Sequence, residues 1–158
     1  MLTDNIKEIL IPKDNIKTLI ITVGNELRGD DSVGRYISSK YKHNNKNMIL
    51  IDAKNNPENI IDKAVSQKPK QVVIIDAANF GGDYGEAKIL SINQIDNAVL
   101  STHMFPLSII GKLIKDDTSS DIVYLGIQIK NIELGNSISE EIKNTADEII
   151  ELINREGK

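Results

Sequence analysis

The sequence predicts a single-domain α/β protein, a doubly wound and mostly parallel twisted sheet of about five strands with helices on both faces. Three observations lead there. Short apolar runs alternate with longer amphipathic stretches along the chain, which is the pattern of repeated β-α units. Two of those runs, TLIITV and QVVIID, lack polar–apolar alternation, as suits strands covered on both faces. The length, 158 residues, is one domain at about 150 residues per domain. A chain of that size buries roughly 70% of its unfolded surface and needs no cross-link to stay folded.

Leu2–Leu10 reads as a short extra helix within an N-terminal extension, residues 1–15, of a domain spanning 1–158. Thr18–Val23 is the first strand. Ser32–Tyr41 forms a helix starting at the acidic pair Asp30–Asp31, where carboxylates meet the exposed N–H groups of a helix N-terminus. Met48–Asp52 is the second strand, and Pro57–Val65 a helix with proline at its start. Gln71–Asp76 is the third strand. Beyond Gly81–Gly82, Glu86–Ile92 alternates polar and apolar residues, as an edge or antiparallel strand does. Pro106–Lys115 is a helix and Asp121–Ile127 a strand. Ser139–Ile153 closes the chain as a helix whose apolar face carries Ile142, Ala146, Ile149, Ile150 and Ile153. The 28 isoleucines favour strands and a stiff core, because their χ1 is restricted.

Composition removes several classes of function. With 19 Lys+Arg against 23 Asp+Glu the net charge is −4 and no basic block exists, so nothing marks a nucleic-acid footprint. The absence of cysteine excludes disulfides, thiolate metal sites and cysteine nucleophiles together. No apolar run approaches the roughly 20 residues that cross a bilayer, and MLTDNIKEIL lacks the build of a signal peptide. A cytoplasmic monomer is the expectation.

Open α/β sheets bind ligands beyond the carboxyl ends of their strands. Three segments arrive there with polar chemistry: GNELRGDDSVG (24–34), DAANFGG (76–82) and STHMFPL (101–107). Each offers one well-placed group, namely Asp31, Asp76 and His103. Two carboxylates and an imidazole make an open site for a borderline divalent cation such as nickel or zinc. Ligands of that kind must be deprotonated, so affinity falls at acidic pH. Each residue also has a plainer reading: Asp30 or Asp31 as an N-cap, Asp76 as a turn residue, His103 as a surface histidine. His43, in a polar connection, reads as solvated. Gly24, Gly29 and Gly34 are spaced Gly-x4-Gly-x4-Gly, which is neither the dinucleotide fingerprint nor the phosphate loop. There is no Gly-x-Ser-x-Gly elbow and no His-Glu-x-x-His helix.

Taken together and in order, the three segments resemble those of the [NiFe]-hydrogenase maturation endopeptidases, the hydrogenase 3 type most closely. Asp31 in GNELRGDDSVG, Asp76 in VVIIDAANFGG and His103 in STHMFPLSII match that family's nickel-binding positions, and Tyr124–Gln128 (YLGIQ) resembles its strand before the closing helix. Ser32 departs from the usual Gly or Ala. The resemblance runs from about Thr18 to the C-terminus. It implies an endopeptidase that removes the C-terminal extension of a nickel-loaded hydrogenase large-subunit precursor, with the substrate's nickel as recognition handle and no organic cofactor. Asp31, Asp76 and His103 are then both the metal-binding and the catalytic residues. Hydrolysis would be metal-assisted or would use an Asp as general base. On this reading Asn25 and Asp30 shape the loop, and Leu27, Phe80, Met104 and Phe105 line a groove for the precursor's tail. Two alternatives belong to other classes. One is a nickel chaperone without hydrolysis. The other is a phosphorelay receiver domain, which the six-residue loop Gly24–Gly29 between the first strand and the acidic pair argues against.

Overall fold

The structure, a computed structural model, describes residues 2–98, 100 and 105–156. In chain order the elements are α1 (Asp4–Leu10), β1 (Thr18–Val23), α2 (Val33–Lys40), β2 (Met48–Lys54), α3 (Ile61–Ser66), β3 (Gln71–Ala78), β4 (Ala87–Leu90), α4 (Ile92–Ala98), α5 (Leu107–Thr118), β5 (Asp121–Gln128) and α6 (Glu140–Ile153). Five strands form one sheet in the order β2-β1-β3-β5-β4. The pairs β2/β1, β1/β3 and β3/β5 are parallel, and the short edge strand β4 runs antiparallel to β5. This is the doubly wound, mostly parallel sheet that the apolar runs predict.

Period-two alternation sorts the strand side chains into two cores. Ile20, Val73, Ile75 and Leu125 face one side, where Ile6 and Leu10 of α1, Ile37 of α2 and Ile142 and Ile149 of α6 cover them. Leu19, Ile21, Val72 and Ile74 face the other, beneath Ala64 of α3, Ile95 of α4 and Leu107, Ile110 and Ile114 of α5. All six residues of β1 are buried, which explains its unbroken apolar run. In α6 the buried face is Ile142, Ala146, Ile149 and Ile153 as expected, joined by Thr145 and Leu152, while Ile150 lies half-buried at the rim. None of the helices among the described residues is long and apolar enough to cross a membrane.

Three elements differ from the sequence reading. The stretch expected as one strand, Glu86–Ile92, is a strand only over Ala87–Leu90, and a helix not foreseen, α4, follows at once. Ser91 and Gln94 build its start: the Ser91 N–H donates to Gln94 Oε1 at 2.9 Å and the Gln94 N–H to Ser91 Oγ at 3.3 Å, a capping box. The expected helix at Pro57 begins as a 3-10 turn, Pro57–Ile60, before α3. Asp30 and Asp31 lie in a separate 3-10 turn, Gly29–Ser32, ahead of α2 and cap neither element with a side-chain hydrogen bond.

Strand order fixes where a ligand would sit. From β1 the chain moves outward to β2, then returns across β1 to β3 and continues the other way, so the topological switch point lies between β1 and β3. The loop bearing Asp31 leaves β1 there, and Asp76 lies near the carboxyl end of β3.

Candidate active site

The loop after β1 turns back on its own start. Gly24 has φ +147°, and a Cβ there would fall 2.1 Å from the carbonyl oxygen of Asp31, so only glycine lets the returning chain lie so close. The Gly24 N–H donates to the Lys54 carbonyl at 2.7 Å, which ties the loop to the bulged end of β2. The Asn25 N–H donates to Asp31 Oδ2 at 3.0 Å, and Asn25 Oδ1 accepts the Leu27 N–H at 2.9 Å. Asp31 is 1% exposed. The Gly29–Ser32 turn that carries it packs against β3.

On β3, Asp76 is also 1% exposed and pairs in register with Gly126 of β5. Two carboxylates are thus brought to the carboxyl ends of adjacent central strands from positions 45 residues apart in sequence. At such depth a carboxylate stays ionised only with hydrogen bonds or a cation close to it. The third residue expected here, His103, lies outside the described residues, as do Ser101, Thr102 and Met104. Among the described residues no cluster of three or more His, Asp or Glu side chains is arranged to hold a metal ion.

Asp30 has a different part. Its Oδ2 accepts the backbone N–H groups of Lys130 at 2.8 Å and Asn131 at 2.7 Å and the hydroxyl of Ser139 at 3.0 Å, while its Oδ1 accepts the Ser139 N–H at 2.6 Å. It is fully buried and clasps the β1 loop to the segment between β5 and α6. Asn25 and Asp30 therefore hold the loop, as their positions in the motif suggest. Close by on the surface, Lys130 Nζ lies 2.9 Å from Glu141 Oε2, and this hydrogen bond raises the lysine pKa and lowers that of the glutamate.

Gln128 was not singled out from the sequence. It ends β5 at 4% exposure, and its Oε1 accepts the N–H groups of Phe80 at 2.9 Å and Gly82 at 3.1 Å. Its Nε2 donates to Asn79 Oδ1 at 3.1 Å. The loop that follows Asp76 is held from the neighbouring strand in this way. The available signal was a polar residue closing an apolar strand, the same one that marks Asp76.

Of the expected groove residues, Leu27 is 66% and Phe105 43% exposed, whereas Phe80 is half-buried and packs against the α3–α5 core. His43 is exposed, edge-on to the Tyr41 ring at 4.6 Å. Beside the Asp31 loop a cleft of about 230 Å³ runs between Gly24–Leu27 and Lys54–Asn56, with Arg35 and Asp52 in its wall.

A doubly wound sheet with two buried aspartates at the carboxyl edge of its central strands, beside the switch point, defines the class: an α/β protein of the open-sheet kind. The sequence profile of the hydrogenase maturation proteases matches residues 32–156, beginning one residue after Asp31. A relative from Methanocaldococcus jannaschii, described as a hydrogenase maturation protease, is 41% identical, with 91% of each chain covered. The hydrogenase 3 maturation protease of Escherichia coli is 28% identical over 83% of this chain and 85% of its own. Among solved structures, the [NiFe] hydrogenase maturation protease HycI of Thermococcus kodakarensis superposes with a TM-score of 0.76 at 31% identity, covering 96% of this chain and 97% of that one. The crystal structure of a hydrogenase 3 maturation protease gives 0.74 at 25% identity, over 87% and 88%. The chain belongs to the hydrogenase maturation protease family and is a peptidase.

Proposed function

We propose that this peptidase removes the C-terminal extension of a nickel-loaded [NiFe]-hydrogenase large-subunit precursor, and that the precursor's nickel is its recognition handle. The observation that carries the reading is the burial of both Asp31 and Asp76 at the carboxyl ends of two adjacent strands, in a fold shared with proteases of this family. The donor chemistry fits: two carboxylates with His103 leave positions open for the ligands the precursor itself supplies. Such a site holds a loaded precursor far better than an empty one, so discrimination is a difference in affinity between two states of one substrate. The nickel then polarises the scissile carbonyl or lowers the pKa of an attacking water.

The test is cleavage followed by intact mass. Nickel-loaded precursor from the same organism is expected to lose a C-terminal peptide with the wild-type protein, and nickel-free precursor to stay whole. His103→Ala, Asp31→Asn and Asp76→Asn are each expected to slow cleavage by about two orders of magnitude or more. Equal cleavage of loaded and empty precursor would sink the nickel handle. Binding without cleavage, for every large subunit the genome encodes, would favour the nickel chaperone.

A further inference from the structure

Gln128 has no part in the cleavage chemistry, yet its side chain is bonded to the limit of its capacity. A carboxamide offers two acceptor lone pairs and two donor hydrogens. Here Oε1 accepts the N–H groups of Phe80 and Gly82, and Nε2 donates to Asn79 Oδ1 at 3.1 Å and to the Ile129 carbonyl at 3.3 Å. The backbone of Gln128 is fixed as well: its N–H donates to the Glu86 carbonyl at 2.8 Å, and its carbonyl accepts the Gly85 N–H at 2.9 Å. It pairs in register with Ala78, two residues past Asp76. Burying a carboxamide costs free energy unless every bond is made, so an apolar residue would close β5 more simply. Three of the four side-chain bonds go to residues 79–82, the loop that leaves β3.

The bonding does not stop at that loop. Asn79, whose side chain Gln128 holds, donates its backbone N–H to the Ala98 carbonyl at 2.8 Å. Ala98 is the last residue of α4 and is buried. The final carbonyls of a helix have no partner within it, and here one of them is taken by the β3 loop. On the far side, the start of α5 is tied back to α4: Asp96 Oδ2 accepts the Ser108 hydroxyl at 2.6 Å and Oδ1 accepts the Ser108 N–H at 3.4 Å. His103 stands midway between Ala98 and Ser108 in the sequence, five residues from each. The stretch that carries it therefore starts and ends on anchored residues, and the anchor at its start runs through Asn79 to Gln128.

We propose that Gln128 is a positioning residue of the peptidase, which through Asn79 sets the loop that follows Asp76 together with the helix end that leads to His103. Two groups that grip one metal must keep their separation, and here they come from different strand–helix units with no covalent tie nearby. One carboxamide on the neighbouring strand supplies that tie, bonding the β3 loop directly and the end of α4 through it. Partners of this kind orient the ligands of a metal without touching it. The inference rests on the reading under Proposed function, that Asp76 and His103 act together on the precursor's nickel, and adds the residue that keeps them in step.

The experiment measures Kd for nickel-loaded and nickel-free precursor, and the single-turnover cleavage rate of the loaded one, for wild type, Gln128→Met, Gln128→Glu and Asn79→Ala. The ratio of the two Kd values decides, because any unfolded fraction of a variant cancels from it. Gln128→Met, similar in size but without the four bonds, is expected to shrink the preference for loaded precursor by about tenfold or more and to slow cleavage by a similar factor. Gln128→Glu still accepts both loop N–H groups, and Asn79 can turn its amide to donate to it, so it should stay within about threefold of wild type. Asn79→Ala cuts only the side-chain link and is expected to reduce the preference by about threefold. An unchanged Kd ratio in a folded Gln128→Met protein would overturn the proposal, as would a folded Gln128→Glu protein no better than Gln128→Met. If Gln128→Met fails to fold, an unchanged ratio in Asn79→Ala, whose side chain lies at the surface, would overturn it in its place. A wild type that binds loaded and empty precursor equally would instead bring down the reading under Proposed function, and this one with it.

Discussion

Asp30 and Asp31 share one turn and the same depth, yet their hydrogen bonds run opposite ways along the sequence: Asp31 accepts from Asn25 just before it, Asp30 from residues a hundred positions later. The sequence showed an acidic pair, and both members fit an N-cap equally well. What separates them is the partner of Asp30, and backbone N–H groups of Lys130, Asn131 and Ser139 leave no mark in a sequence, since nearly every residue carries one. Asp30→Ala strands three N–H groups and a hydroxyl at once, so we expect it to cost about 2–4 kcal/mol of stability, read from urea unfolding. Tyr124 gives a residue-scale test of burial. Desolvation, helped by the charge of Asp96, pushes its phenol from 10.0 up to about 12. Because the folded value is the higher one, the stability it contributes is complete below pH 10 and is lost as pH rises toward 12. Tyr124→Phe should therefore flatten the fall in stability across that window, measured by denaturant midpoints at stepped pH.

At the scale of elements, the strands were legible because they are buried on both faces. Thr18–Val23 and Gln71–Asp76, the latter extended to Ala78 in the structure, announce themselves by composition alone, with no need to know their neighbours. Helix α4 was missed for the opposite reason. It spans only Ile92–Ala98, its apolar pattern merges with that of the strand before it, and its one clear signal is the Ser91-x-x-Gln94 capping box. Ser91→Ala should lower stability by about 1 kcal/mol, and Gln94→Ala on that background should add little if the two side chains act as one device, which a double-mutant cycle would measure. The 3-10 turn at Gly29–Ser32 was out of reach in another way: its shape depends on the Gly24 contact and the Asp30 clasp, whose partners lie in chain segments outside the turn.

For the whole molecule, strand order brings distant parts of the chain to one edge of the sheet. Asp31 and Asp76 come to the same edge of the sheet because β1 and β3 lie side by side, and the sequence alone implied this only through the general behaviour of doubly wound sheets. The two carboxylates of the candidate site were thus readable as positions in the chain, while the hydrogen bonds that hold their loops, from Gln128 on the β3 loop and Ser139 on the β1 loop, were not. That scaffolding has a consequence for the order of events during synthesis. Strands β1, β2 and β3 are complete once residue 78 has left the ribosome, but the clasp on Asp30 waits for Ser139. A nascent or truncated chain ending before that serine can pair its central strands and still lacks the partner that holds the Asp31 loop. The Asp31 loop is therefore fixed late, only after nearly all of the chain has been made.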